Sequence, residues 1–148
     1  MSRITKILVA TDFSPHSNAA LRCAAELSGR LDVPLVIYNA VFLPVYPIPD
    51  GVVLRSPDVM AELVQKSTRA LATDHTTAVE LGARRVETQW TEGPAAHEIV
   101  RVARDLHVDL IVVGTHGRGV VARAILGSTA DRVVRTAHCP VLVVTHEY

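Results

Sequence analysis

The chain has 148 residues, 15 Lys+Arg against 15 Asp+Glu, and 49% hydrophobic residues. That length suits one domain with a sizeable core, and the composition excludes the disordered class of low hydrophobicity and high net charge. A net charge of zero excludes the broad positive footprint of a general DNA or RNA binder, though not a small polyanion held by local donors.

In chain order, Ile7 to Ala10 reads as a first strand, apolar on both faces. Ser14-Pro15 follows, an N-cap residue and a proline suited to the first helical position. Leu21, Ala24, Ala25 and Ser28 line one face of that helix, and Gly29 lies near its end. Leu35 to Tyr38 is the second strand. From Leu43 to Pro57 the chain is expected to be irregular, because Pro44, Pro47, Pro49, Gly51 and Pro57 forbid a continuous helix. Such a segment is either a lid or simply a loop. Asp58 to Gly82 reads as a long helix on Val59, Leu63, Val64 and Leu71.

Val86 to Thr91 alternates, with Val86, Thr88 and Trp90 on one face and Glu87, Gln89 and Thr91 on the other, the mark of a half-exposed edge strand. Gly93-Pro94 opens a third helix carrying Ala96, Ile99, Val100, Ala103 and Leu106. Leu110 to Val113 is a fourth, buried strand. Gly119 to Ala137 reads as the last helix, stopped by Pro140, and Val141 to Val144 as the last strand. The sum is an α/β fold: a single domain over residues 1–148 with an open five-stranded parallel sheet, Rossmann-like, helices on both faces. The expected strand order is 3-2-1-4-5 with right-handed crossovers. No apolar run nears the eighteen or so residues that span a bilayer, and the stretch ending at Asp12 is too short for a signal-peptide core. Cys23 and Cys139 are too few for a disulfide framework. A soluble, cytoplasmic protein is expected, with no membrane and no nucleic-acid partner.

The chemistry concentrates after the fourth strand, in Gly114, Gly117, Arg118, Gly119 and then Gly127-Ser128-Thr129. Gly114 follows a buried strand at its carboxyl end, where open α/β sheets bind ligands. Glycines let backbone N–H groups approach an anion, and a helix start near Ser128 would add unpaired donors. Ser128 and Thr129 bring hydroxyls. Each glycine alone has a plainer reading as a tight turn or a packing contact. The spacing Gly-x2-Gly-x9-Gly-Ser arises by chance in roughly one chain in a few hundred of this length. In the order 3-2-1-4-5 the switch point lies between strands one and four, so Asp12 and Gly114 face one crevice. Asp12 reads equally as a cap for the first helix.

With these residues, and with Ile7-Leu-Val-Ala-Thr-Asp12-Phe-Ser14 and Cys139-Pro-Val-Leu-Val-Val144, the chain resembles the ATP-binding branch of the universal stress proteins. The resemblance covers nearly the whole length. It implies that Gly114, Gly117, Gly127 and Ser128 wrap the phosphates of ATP, with Thr129 beside them. It also implies that Asp12 lies against the nucleoside near Ala10 and Thr11, and that backbone at Ala40 contacts adenine. Arg118 stands where similar proteins are often basic. Asn39-Ala40 departs from the His-Val that members often carry.

Arg123 reads as a solvated helix charge and His116 as a turn residue. There is no Gly-x4-Gly-Lys-Ser/Thr motif and no kinase catalytic-loop signature, so the sequence supports binding over turnover. Mg²⁺ or Mn²⁺ could accompany the nucleotide through its phosphates. The seven histidines show no zinc spacing. Val141, Leu142, Val143 and Val144 form an apolar edge that needs covering, and pairing with the same strand of a second copy gives a homodimer, as the resemblance also implies. The expected function is a nucleotide-responsive regulator of stress response. The rivals are a weak ATPase or adenylyl-transfer enzyme in the same crevice, and an interaction module with no nucleotide.

Overall fold

The computed structural model describes residues 3–43, 47–49, 51–52, 57–116 and 126–145. In chain order the elements are β1 (Ile7–Ala10), α1 (Pro15–Leu31), β2 (Leu35–Val41), β3 (Pro47–Ile48), β4 (Gly51–Val52), α2 (Pro57–Glu80), β5 (Val86–Glu92), α3 (Ala95–Asp105), β6 (Leu110–Gly114), α4 (Ser128–Thr136) and β7 (Val141–Val144).

Strands apolar on both faces are stable only under helices on each side, and that is the arrangement found. The main sheet is parallel with order β5-β2-β1-β6-β7, the expected 3-2-1-4-5 once the short β3–β4 pair is set aside. α1 and α2 cover one face, packing Ala20, Leu21, Ala24 and Leu71 on Ile7, Val9, Ile37 and Val112. α3 and α4 cover the other, packing Ile99, Val102, Ala103 and Val133 on Leu8, Val36, Tyr38 and Ile111.

Several local expectations need correction. The segment from Leu43 to Pro57 is not wholly irregular: Pro47 pairs with Val52 and Ile48 with Gly51 in an antiparallel ladder. Proline forbids helix but is tolerated in such an edge strand; the rest of this segment beyond Leu43 lies largely outside the described residues. The last helix does not run continuously from Gly119. Gly127 is extended (φ −60°, ψ 157°), its N–H donates to Thr115 C=O at 2.7 Å, and α4 starts at Ser128. Pro94 is the N-cap of α3 rather than its first residue, since its ψ of 131° is extended. Ser14 caps α1 as expected, accepting from Ser17 N–H. β5 is the half-exposed edge strand expected: Trp90 is 40% exposed, and on the other face Gln89 and Thr91 are half-buried, with Thr91 bonded to Glu98 of α3.

Gly29 lies inside the last turns of α1, and Asp32 takes the left-handed C-cap position instead (φ 54°). What requires glycine at 29 is contact: a Cβ there would stand 2.6 Å from Gly82 C=O, in the turn after α2. On α2, Ser67, Leu71 and Ala78 mark the buried face, and Asp74 falls on the same stripe. Asp74 Oδ2 is buried without a hydrogen-bond partner among the described residues, and burial pushes its carboxyl up to about 6.

Two outcomes are expected. Gly29→Ala gains helix propensity worth about 1 kcal/mol but overpacks backbone, for a net loss of about 1 kcal/mol by urea denaturation. Asp74 binds its proton more tightly folded than unfolded, so it contributes stability below pH 4 that is lost as pH rises through about 6. Asp74→Asn should therefore flatten the decline in urea midpoint between pH 4 and 7; an unchanged pH profile would contradict the assignment.

Candidate functional site

β1 stops at Ala10, paired with Tyr38, while β2 runs on through Asn39, Ala40 and Val41. The last backbone rung is Thr11 N–H to Tyr38 C=O at 2.8 Å. Beyond it the chain turns into α1 through Phe13 at φ 65°, and side chains replace the ladder. Thr11 Oγ1 accepts from Phe13 N–H at 2.9 Å and lies 3.1 Å from Ser17 Oγ. Asp12 Oδ1 accepts from Ser14 N–H at 3.0 Å, so the carboxylate helps form the turn before the helix while also lining the crevice. The two readings of Asp12 are geometrically compatible.

On the other side of β1, Gly114 ends β6. A Cβ at this position would come within 2.6 Å of His16 C=O, so the glycine lets the first turn of α1 sit against the strand end. Gly127 is similarly close, 2.9 Å from Thr115 C=O. α4 then begins at Ser128 with the open N–H groups of a first helical turn, near Ser128 and Thr129 hydroxyls. His116 packs edge-on to His16, with ring centroids 5.2 Å apart, and lines the crevice.

Together these ends enclose a cavity of about 480 Å³, within the range that takes small ligands. Its two halves differ. Toward β2 and α3 it is bounded by Tyr38, Ala40, Phe42, Ala95 and Ile99, with the Phe42 ring 47% exposed at the rim. Toward β6 and α4 it is bounded by Gly114, His116, Gly127, Ser128 and Thr129. Asp12, at the end of the central strand, stands between these two sets in sheet order.

The β2 wall is braced from behind. The Tyr38 hydroxyl bonds Thr91 Oγ1, Thr91 also bonds the Glu98 carboxylate, and Arg101 grips Glu98 through two contacts of 2.8 Å. The Arg101 hydrogen bonds hold the 7%-exposed Glu98 carboxyl below the usual range, and burial pushes the Tyr38 phenol up to about 12. Tyr38 is thus a neutral wall residue at any physiological pH, and Glu98 a fixed anion paired to Arg101.

Of the residues singled out from sequence, Ala10, Thr11, Asp12, Ala40, Gly114, Gly127, Ser128 and Thr129 all line this one cavity. Gly117 and Arg118, like Gly119 and Arg123, lie outside the described residues. Sequence reasoning missed Ser17, Tyr38, Phe42, Ala95 and Ile99 as lining residues, and treated Asn39 only as a departure from a family pattern. Asn39 carried a signal: it is a lone amide in an otherwise apolar buried strand. Among the described residues no group of three metal-ligating side chains occurs, and no helix is long and apolar enough to cross a membrane. Neither Cys23 nor Cys139 is in a disulfide.

Comparison with known proteins gives the same topology a lineage. The model of the universal stress protein family matches residues 3–145. A universal stress protein of Methanocaldococcus jannaschii is 36% identical over 140 residues, covering 94% of this chain and 81% of the relative. Among solved structures, the universal stress protein UspA from Lactobacillus plantarum superposes with a TM-score of 0.83 at 28% identity, covering 97% of this chain and 99% of that one. The universal stress protein from Archaeoglobus fulgidus, in complex with dAMP, shares the fold at TM-score 0.68 and 24% identity, over 95% and 97% of the two chains. With the family model spanning almost every residue, a relative 36% identical over 94% of the chain and the fold shared with these structures, the chain belongs to the universal stress protein family.

Proposed function

We propose that this protein binds ATP in the crevice above β2, β1 and β6 and acts as a nucleotide-responsive regulator of stress response. The observation that carries the reading is the division of the cavity. One end offers an apolar wall and strand backbone at Ala40, suited to a purine; the other offers a helix N-terminus with two hydroxyls, suited to phosphates. Asp12 between them suits a ribose, whose hydroxyls donate to a carboxylate. The dAMP complex of the Archaeoglobus protein is in keeping with an adenine ligand. Ala10, Thr11, Gly114, Gly127, Ser128 and Thr129 are the described contacts of this reading, and Gly117 and Arg118 complete the phosphate loop.

A bound Mg²⁺ or Mn²⁺ would supply charge neutralisation at the phosphates. Asp12 is the one carboxylate among the described lining residues, which fits an ion held mainly by phosphate and water. The sequence carries no Gly-x4-Gly-Lys-Ser/Thr motif and no kinase catalytic-loop signature, which favours binding with slow or no hydrolysis. The reading also places the protein in the cytoplasm, a compartment that keeps thiols such as Cys23 and Cys139 reduced. The second copy of a homodimer docks along β7, a sheet edge where Leu142 is 36% exposed.

Calorimetry on nucleotide-stripped protein with ATP and Mg²⁺ tests the reading: heat of binding is expected, and a folded sample giving none would overturn it. Ser128→Ala and Thr129→Val should each weaken ATP about 10- to 100-fold, the worth of one hydrogen bond to a charged group. For assembly, sedimentation should give a dimer at micromolar concentration, and Leu142→Asp should shift it to monomer while ATP still binds. A wild-type monomer would remove the β7 pairing.

A further inference from the structure

Parallel strands commit alternate residues to alternate neighbours, so the backbone groups of β2 can be accounted for one by one. Odd positions serve β5: Leu35 N–H donates to Arg85 C=O at 2.9 Å, and Val41 C=O accepts from Gly93 N–H at 3.0 Å. Even positions serve β1: Pro34 C=O accepts from Ile7 N–H at 3.0 Å, and Tyr38 C=O from Thr11 N–H at 2.8 Å. By this alternation both the N–H and the C=O of Ala40 point toward the β1 side, where Ala40 lines the cavity.

Continuing the ladder would join Ala40 N–H to Thr11 C=O, then Phe13 N–H to Ala40 C=O. Among the described residues neither bond forms, because side chains have claimed the partners. Asn39 Nδ2 donates to Thr11 C=O at 2.8 Å, and Phe13 N–H goes to Thr11 Oγ1 at 2.9 Å. Ala40 keeps a donor and an acceptor side by side on the cavity wall. The amide of Asn39 has a fixed sense, because Ser67 Oγ on α2 donates to Asn39 Oδ1 at 2.7 Å and leaves the NH₂ facing Thr11. Asn39 and Ser67 are both buried, so water does not compete for these bonds.

We propose that Asn39, oriented by Ser67, is the positioning residue that holds the β1–β2 ladder open at Ala40 and thereby sets base selectivity. The open pair matches a base edge with an acceptor beside an amine donor, as adenine presents at N1 and N6. Guanine presents the reverse, a donor at N1 and an acceptor at O6. With the phosphates anchored at α4, the base cannot turn over to compensate. This inference rests on the nucleotide reading above and assigns to α2, which makes no direct contact with the base, a part in recognition.

The test is calorimetric titration of ATP, GTP and tripolyphosphate, each with Mg²⁺, into wild type, Ser67→Ala, Asn39→Asp and Asn39→His, with thermal midpoints alongside. Ser67→Ala should lower the ATP-to-GTP affinity ratio about 10-fold, one hydrogen bond's worth, and leave tripolyphosphate unchanged. Asn39→Asp should lower the ratio further, since a carboxylate cannot donate to Thr11 C=O. Asn39→His, whose Nδ1–H stands as many bonds from Cβ as the amide nitrogen, should retain it. Folded Ser67→Ala and Asn39→Asp proteins with the wild-type ratio would overturn the role of Asn39 alone. Loss of ATP, GTP and tripolyphosphate binding in parallel with the thermal midpoint would reduce Asn39 to a structural residue. Absence of ATP binding by wild type would overturn the nucleotide reading itself, and this inference with it.

Discussion

A parallel strand buried on both faces has to hand its backbone groups to something when it ends, and β1 ends while β2 continues beyond it. The cavity of this molecule is arranged around that handover. The exits are side chains: Thr11 for Phe13, Asp12 for Ser14, Asn39 for Thr11. Because these side chains take up the groups that β1 releases, the strands part there, and the gap is the crevice, with the backbone of Ala40 on its wall. The same handover aims α1, whose N-cap Ser14 comes directly after the turn.

The helices then fix how wide the crevice is. α1 can lie against the end of β6 only because Gly114 has no side chain, and it can lie against the turn after α2 only because Gly29 has none. One helix is thus pinned at both ends by close backbone approach, which ties the position of Ser17 in the cavity wall to a contact at the opposite end of the helix. On the other face, the Tyr38–Thr91–Glu98–Arg101 chain stitches β2, the edge strand β5 and α3 together. Buried polar chains of this kind stiffen a wall when every member is satisfied.

Periodicity and punctuation made the architecture legible. Ile7–Ala10 and Val141–Val144 were readable to the residue because apolar runs end at Asp12 and begin after Pro140. Ser14-Pro15 announced α1 through its capping chemistry. The glycine spacing and Asp12 pointed to residues that do share one cavity. What was hidden is what depends on distant pairing. Alternation split β5 into two faces, but it cannot tell which of them a helix covers, or how much. The helix read from Gly119 failed at Gly127, whose N–H is taken by Thr115. Asn39 was legible as an oddity, but its partners Thr11 and Ser67 are each 28 positions away in the chain.

The two rims of the sheet are chemically unlike. β5 carries exposed Glu87 and Glu92 along a seven-residue edge, and charged edges resist the addition of further strands. β7 is short and entirely aliphatic. If two copies pair along β7 as proposed, both aliphatic rims are consumed and the rims left outward are the β5 edges with Glu87 and Glu92, so that pairing would end at two copies and not propagate into a fibre.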